Sequence, residues 1–329
     1  MSKFDFICVS GYGKSGSGAC INLLNEFDYI GGIDNEFRIA KDPYGISDLE
    51  SSLVTDWEFV RHNTAINDFL LYCEMLSRNN PIYGKIGKGF SEKLNVDLKA
   101  ESLMYIDNLT NFKYSGDTLL HRYKESALQY LLNRIRSKLG FSNHELMYFS
   151  TPSSDLFLFE TQKYIKNLFK SYASGNNFKK IVLDQAIPPN NIDKTIKYFD
   201  SNKIIIIDRD PRDIYATMLM EKRLLGAGDN DDILVEKYIY WHKSIRKKAN
   251  FKEIKSNVLE LKFEDFFVKY DNTVNSVKEF LEINYKHANK KTKFNPDKLL
   301  NYVGIWRQLE NQKPINRIYK EFPDECFPD

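Results

Sequence analysis

Residues 4–24 read FDFICVSGYGKSGSGACINLL and contain the pattern that decides the fold. An apolar run over residues 4–9 is followed by a polar turn over residues 10–18. Residues 19–24 then have the apolar spacing of a helix. The stretch therefore predicts a strand, a loop and a helix in immediate succession.

The predicted loop is rich in groups that bind anions. Its glycines can adopt positive φ, so that several backbone N–H groups turn toward one ligand. The following helix adds the partial positive charge of its N-terminus, and the lysine adds a full charge. An ordinary turn with capping serines would need fewer of these residues. We therefore predict a phosphate-binding loop made of Gly13, Lys14, Ser15, Gly16, Ser17 and Gly18.

The loop matches a Walker A motif only in part. That motif requires Gly, four residues and then Gly-Lys-Ser/Thr. Residues 13–15 supply the end, but Cys8 stands at the first glycine position. The continuation Lys-Ser-Gly-Ser after a strand instead resembles the 5′-phosphosulfate loop of sulfotransferases that use 3′-phosphoadenosine 5′-phosphosulfate (PAPS).

A second motif, DRDPRDIYAT, occupies residues 208–217 after an isoleucine run typical of a buried parallel strand. Asp210 and Pro211 suit the N-cap and first turn of a helix. The motif resembles the sulfotransferase segment Arg-x-Pro-Arg/Lys-Asp, which has a hydroxyl residue eight positions after its first arginine. That resemblance implies that Arg209 and Thr217 hold the 3′-phosphate, with threonine where serine is usual. A guanidinium suits this task because it can donate two parallel hydrogen bonds.

Near the end of the chain, residues 303–307 read VGIWR and resemble a further segment of the same family. The resemblance implies that Arg307 contacts a phosphate. Trp306 is expected to pack in the protein core rather than stack on the adenine.

The resemblance also suggests catalytic roles. Lys14 would stabilise the charge that develops on the departing oxygen. Many cytosolic sulfotransferases have a histidine base in a Lys-Thr-His-Leu-Pro-like segment, but residues 183–188 read LDQAIP, with Ala186 at that position. We predict Asp184 as the base and Glu36 as its rival. Asp184 could instead initiate a turn, and Glu36 could instead form a surface ion pair with Arg38.

These patterns predict an α/β fold with a central parallel sheet flanked by helices, like a P-loop-NTPase-like sulfotransferase core. Strands are expected at 29–33, 181–183, 203–207 and 258–261, and a flexible polar loop at 225–232. Residues from about 41 to 172 read as mainly helical, including a helix from Leu120 to Ile135. We therefore expect a single domain over residues 1–329 with a helical insertion at about 41–172.

Composition excludes several other classes. The 329 residues are 42% hydrophobic and carry 47 Lys and Arg against 45 Asp and Glu, so a nucleic-acid partner is not indicated. Four cysteines without a CxxC spacing and five dispersed histidines predict a reducing compartment and no metal site. No apolar run approaches the ~20 residues of a membrane span. A cytoplasmic location is expected.

The sequence therefore predicts an enzyme that transfers a sulfuryl group from PAPS to a hydroxyl or amine and leaves 3′-phosphoadenosine 5′-phosphate (PAP). The acceptor would be a small molecule or a carbohydrate, and no metal would be needed. A P-loop nucleotide kinase or NTPase is the alternative, and it would require Mg²⁺. A third possibility is a nucleotide-binding regulatory module without turnover. The pattern makes no prediction about oligomeric state.

Overall fold

The computed structural model describes residues 4–79, 88–116, 126–140, 144–200, 202–223, 230–247, 249, 252–283 and 293–328. The chain divides into two compact units. The core unit comprises Met1–Arg38 and Ala173–Asp329, and the middle unit comprises Ile39–Tyr172. Their description as one domain with an insertion stays a prediction. Most of the polar loop expected at 225–232, and the expected helix start at Leu120, lie outside the described residues.

Both units contain strands and helices, which are numbered in chain order. The strands are β1 (Asp5–Gly11), β2 (Ile30–Glu36), β3 (Phe112–Gly116), β4 (Glu145–Phe149), β5 (Lys180–Asp184), β6 (Asn202–Asp208) and β7 (Val258–Lys262). The helices are α1 (Ser17–Leu24), α2 (Ile46–Glu50), α3 (Phe59–Ser77), α4 (Phe90–Leu94), α5 (Leu98–Leu109), α6 (Ala127–Lys138), α7 (Ser154–Gly175), α8 (Ile192–Ile196), α9 (Pro211–Met220), α10 (Asp231–Arg246), α11 (Asp265–Val268), α12 (Tyr270–Leu281), α13 (Pro296–Leu299) and α14 (Lys313–Glu321). A π-helix covers Ser51–Thr55, and 3₁₀ turns cover Lys252–Asn257, Leu300–Tyr302 and Ile305–Gln308.

The core unit contains a five-stranded parallel sheet in the order β2-β5-β1-β6-β7, which confirms the predicted fold class. The isoleucines at 204–207 are all buried, as expected for a strand covered on both faces. Helix α1 packs Cys20 and Leu23 into the same hydrophobic cluster as Ile7 and Val9 of β1. Burial of this apolar surface is the main stabilising contribution to the unit.

The strand order brings three of the predicted site segments to the carboxyl edge of the sheet. Strands β5 and β6 lie on opposite sides of β1, so the chain crosses over β1 between them. In open parallel sheets, ligands bind outside the carboxyl ends of the strands at such a crossover. The β1–α1 loop, Asp184 and Arg209 follow or end these three strands.

The middle unit is helical, with one addition that the sequence did not predict. Strands β3 and β4 form a two-stranded antiparallel sheet in which Phe112 pairs with Phe149, and their rings stack 4.7 Å apart between centroids. Within the helical part, Tyr105 and Tyr164 stack with centroids 4.6 Å apart. Among the described residues, no helix combines the length and apolar composition needed to cross a bilayer.

Candidate active site

The β1–α1 loop has the backbone conformation of an anion cradle. Gly13, Lys14 and Gly16 have φ angles of 92°, 54° and 85°. Gly16 is the N-cap of α1, and no side chain caps the helix at this end. A Cβ atom on Gly16 would overlap the ring of Phe263, so only glycine fits here. The loop backbone therefore packs against the Phe263 ring, and the N–H groups in the first turn of α1 remain available to an anion.

The two loop serines have different surroundings. Ser15 is buried, and its Oγ packs so tightly against Gly11 that a Cβ there would overlap it. Ser17 is half-buried, and its Oγ accepts a hydrogen bond from Nε2 of Gln185 at 3.4 Å. Gly18 is exposed. Contacts of these residues with a ligand stay a prediction, and Ser17 is the better placed of the two hydroxyls.

Arg209 joins both sequence motifs. Its Nη1 donates to the backbone oxygen of Lys14, 195 positions earlier in the chain, at 3.2 Å. The same nitrogen donates to Oγ1 of Thr217 at 3.2 Å, and Nη2 donates to the backbone oxygen of Tyr302 at 2.6 Å. One guanidinium thus connects the loop, helix α9 and the segment that contains the third motif.

The Arg209 side chain retains capacity for another acceptor. It is 4% exposed, its guanidinium lies 4.9 Å from the centroid of the Phe263 ring, and burial lowers its pKa. Its Nε–H is buried and has no hydrogen-bond acceptor among the described residues. A buried donor without an acceptor is costly, and an anion can relieve that cost.

Asp213 anchors the third motif to the start of α9. Its carboxylate accepts hydrogen bonds from the N–H of Gly304 at 2.8 Å and of Trp306 at 3.1 Å. The Trp306 ring lies 4.4 Å from the guanidinium carbon of Arg212 and 4.6 Å from that of Arg307. Arg307 is exposed, and its role as a phosphate contact stays a prediction.

Sequence reasoning missed the partner of the lysine. Nζ of Lys14 forms an ion pair with a carboxylate oxygen of Glu221, at the C-cap of α9. Their hydrogen bond lowers the pKa of Glu221. Glu221 follows Thr217 by four residues, and such residues share one helix face. This spacing was the signal in the sequence, since it predicts a carboxylate on the same helix face as Thr217, the predicted phosphate contact.

The two candidate bases are neighbours on adjacent strands. Asp184 is the register partner of Glu36 on β2 and of Val9 on β1. It also lies near α1, since the pKa of the Cys20 thiol is raised mainly by burial and then by the Asp184 charge. Glu36 accepts a hydrogen bond from Nη1 of Arg38 at 3.4 Å, which is the expected ion pair. The structure therefore places both carboxylates at the same edge of the sheet.

A network of polar side chains contacts the loop through the ring of Tyr12. The guanidinium of Arg246 lies 4.4 Å from the ring centroid of Tyr12, and burial raises the pKa of Tyr12 to about 12. Arg246 also donates to Asp208 at 2.5 Å and to Nδ1 of His242 at 3.0 Å. Nε2 of His242 then contacts Glu325 at 2.8 Å. Because arginine only donates, Nδ1 of His242 must accept, which assigns the ring proton to Nε2.

A buried carboxyl group lies next to the Arg209 cluster. Glu264 is 1% exposed, and its Oε1 accepts from the N–H of Asp210 at 2.9 Å. Burial, with smaller contributions from Asp210 and Asp213, raises the pKa of Glu264 from its ordinary 4.5 to about 7. The folded protein therefore binds a proton here more tightly than the unfolded chain does.

This shift predicts a pH-dependent loss of stability. Stability from protonated Glu264 is fully present below pH 4.5 and is lost as the pH rises toward 7. The loss is roughly 3 kcal/mol, since each pKa unit corresponds to ~1.4 kcal/mol. Glu264→Gln keeps the acceptor without the ionisation, so its stability relative to wild type should rise between pH 5 and pH 8. Urea unfolding measures this, with the exposed Glu260→Gln as control. Parallel stability curves for wild type and Glu264→Gln would contradict the assignment.

Among the described residues, no cluster of three His, Cys, Asp or Glu side chains could hold a metal ion. The expectation of metal-independent chemistry stays a prediction for experiment.

No protein-family model and no curated protein matches the chain. Among solved structures, the chain is similar to a sulfotransferase domain from the curacin biosynthetic pathway, with 12% identity, 99% of this chain and 100% of that chain covered, and a TM-score of 0.42. It is also similar to the sulfotransferase domain of the Synechococcus PCC 7002 olefin synthase, with 13% identity, 100% of this chain and 98% of that chain covered, and a TM-score of 0.43. A third similar structure is retinol dehydratase in complex with androsterone and the inactive cofactor PAP, with 14% identity, 97% of this chain and 80% of that chain covered, and a TM-score of 0.39. At these identities and TM-scores, the case for a function rests on the chain's own residues.

Proposed function

We propose that this protein is a PAPS-dependent sulfotransferase whose acceptor is a hydroxyl or amine of a small molecule, with carbohydrates as the first class to test. The supporting observation is the contact of Arg209 with Lys14 and Thr217, which joins two motifs that each resemble a phosphate-binding segment of one family. Either motif alone is compatible with an ordinary helix start.

The two anionic ends of the donor would bind to different groups. The N–H groups of the β1–α1 loop and the Lys14 ammonium would hold the 5′-phosphosulfate, and Arg209 with Thr217 would hold the 3′-phosphate. Lys14 must then exchange its ion pair with Glu221 for the ligand. The exchange is inexpensive because both side chains are partly exposed and such pairs contribute ~0–1 kcal/mol.

The transfer step needs a cation that stabilises the leaving oxygen and a base that takes the acceptor proton. The acceptor oxygen or nitrogen attacks sulfur, and the bond from sulfur to the bridging phosphate oxygen breaks. Lys14 stabilises the negative charge that this oxygen gains, more in the transition state than in the ground state. Asp184, or Glu36 in its place, takes the acceptor proton. The products are the sulfated acceptor and PAP.

Arg209 should confer selectivity for the 3′-phosphate. Arg209→Ala is expected to weaken binding of PAP by roughly ten- to hundredfold, because an ionic hydrogen bond is worth ~1.5–3 kcal/mol. Affinity for 5′-AMP should hardly change. Titration calorimetry with the two nucleotides measures both, and equal losses for both would contradict the assignment.

A milder variant separates ligand binding from folding. Arg209→Ala also removes the donor to the backbone oxygens of Lys14 and Tyr302, so the variant's stability must be measured in parallel. Thr217→Val preserves side-chain shape and removes only the hydroxyl. It should weaken PAP binding by roughly two- to tenfold, as one neutral hydrogen bond would.

Chelation distinguishes the alternatives. Sulfuryl transfer to a panel of sugars, phenols and amines should continue in EDTA, whereas a kinase would lose activity and regain it with Mg²⁺. Tight PAP binding without transfer to any acceptor would instead indicate the regulatory module.

A further inference from the structure

Helix α6 presents an apolar stripe to solvent. The stripe consists of the side chains Leu128, Leu131, Leu132 and Ile135 of the helix and of its C-cap residue Leu139, each between 48% and 69% exposed. They are spaced by three and four residues, or by one between the central leucines, so they share one helix face. No residue of α6 is buried. Single exposed leucines are ordinary, but a continuous stripe of five indicates an interaction surface.

The helix has a defined start, and the five side chains of its apolar stripe are all about half or more exposed. Ser126 and Gln129 form a reciprocal capping box, with Ser126 N–H to Gln129 Oε1 at 2.9 Å and Gln129 N–H to Ser126 Oγ at 3.3 Å. Isolated helices of about this length are marginal in water, and most of their stability comes from packing of the apolar face. A partner that covers the stripe would therefore stabilise the helix.

The charges of α6 indicate which partner fits. Arg134, Arg136 and Lys138 are all exposed, and residues 126–140 contain no Asp or Glu. Arg136 follows Leu132 by four positions and Lys138 follows Leu131 by seven, so the two cations border the stripe on opposite sides. Their long side chains can extend past the apolar surface to anionic groups. Pairing of α6 with the α6 helix of a second copy would instead bring the basic residues of the two helices together, with no carboxylate on either helix to neutralise them.

We propose that α6 docks on an anionic lipid surface, with its apolar stripe among the acyl chains and its basic residues at the headgroups. This arrangement is that of interfacial amphipathic helices, whose binding combines apolar burial with attraction to acidic lipids. The proposal concerns the middle unit alone and does not depend on the sulfotransferase assignment.

Vesicle sedimentation of the full chain tests the proposal. The protein should pellet with vesicles of a two-to-one mixture of phosphatidylcholine and phosphatidylserine, and much less with phosphatidylcholine alone. Arg136→Gln/Lys138→Gln should weaken binding by about thirtyfold, since each cation near the surface contributes about one factor of five. Lys247→Gln/Lys320→Gln removes the same charge from exposed core-unit sites and should have a smaller effect.

A second pair of variants tests how much the apolar stripe contributes to vesicle binding. Leu131→Gln/Ile135→Gln should reduce binding at least fiftyfold, and glutamine retains high helix propensity. Leu71→Gln/Met75→Gln changes two exposed α3 residues at the same spacing and should bind normally. The proposal is overturned if phosphatidylserine vesicles do not bind, if both vesicle types bind equally, or if each variant matches its control. It is also overturned if the stripe variant abolishes a dimer seen by ultracentrifugation while vesicles do not bind.

Discussion

Lys14→Ala should lower turnover by about 10²–10³-fold, the usual effect of removing one fixed charge that stabilises a developing anion. The lysine has φ 54° and lies between Gly13 and the N-cap of α1, so we expect its ammonium to act together with the loop N–H groups on a bound donor. Because the charge on the leaving oxygen develops during transfer, kcat should fall more than PAP affinity. Single-turnover transfer and calorimetry measure these two quantities.

Lys222 provides a closely matched control. It is exposed, it also has φ 54°, and it follows the lysine's partner Glu221 directly. Lys222→Ala therefore places alanine at the same φ angle as Lys14→Ala does, and it removes the same charge near the site. It should retain nearly full turnover, and a loss equal to that of Lys14→Ala would mean that net charge explains the effect.

Glu221 should compete with the ligand for Lys14. Glu221→Gln is expected to raise PAP affinity by at most about fivefold, since an exposed ion pair is worth up to ~1 kcal/mol.

Local sequence signals were sufficient where the deciding contacts are local. The isoleucines of β6 predicted a buried parallel strand, and the structure confirms it. Asp210 was predicted as an N-cap, and its carboxylate accepts from the N–H of Arg212 at 2.7 Å, with Pro211 in the first turn. Such features depend on burial period and on capping within a few residues.

Contacts between distant segments were not predictable in the same way. Strands β3 and β4 are short and pair across residues 117–144, so no turn signal links them. The contacts of Arg209 with Tyr302 and of Lys14 with Glu221 also depend on how the sheet orders its strands. Periodicity describes one element at a time, whereas partner choice between elements is set by tertiary packing. The motifs therefore predicted candidate site residues, but not the carboxylate and carbonyl groups that contact them.

The position of Asp184 supports it as the acceptor's base ahead of Glu36. Gln185, the next residue, has φ 56°, and its side chain reaches Ser17 at the start of α1. The strand end that carries Asp184 thus adjoins the β1–α1 loop directly. Glu36 lies one strand farther from β1 and would lose its ion pair with Arg38 on accepting a proton. That pair is partly exposed, and such pairs contribute little to stability, so proximity to the loop is the stronger reason.

Asp184→Asn should lower turnover by at least about 100-fold, because a positioned base contributes ~10²–10⁴-fold. Asparagine is isosteric, so PAP affinity should stay within about twofold and the thermal midpoint should hardly move. The pH profile of kcat/KM provides a further readout, since loss of the base should remove the rising limb on the acid side. Glu36→Gln is the matched carboxylate-to-amide change on the neighbouring strand and should keep most activity. If Glu36→Gln is inactive while Asp184→Asn turns over normally, the proton goes to Glu36, and proximity to the β1–α1 loop does not select the base.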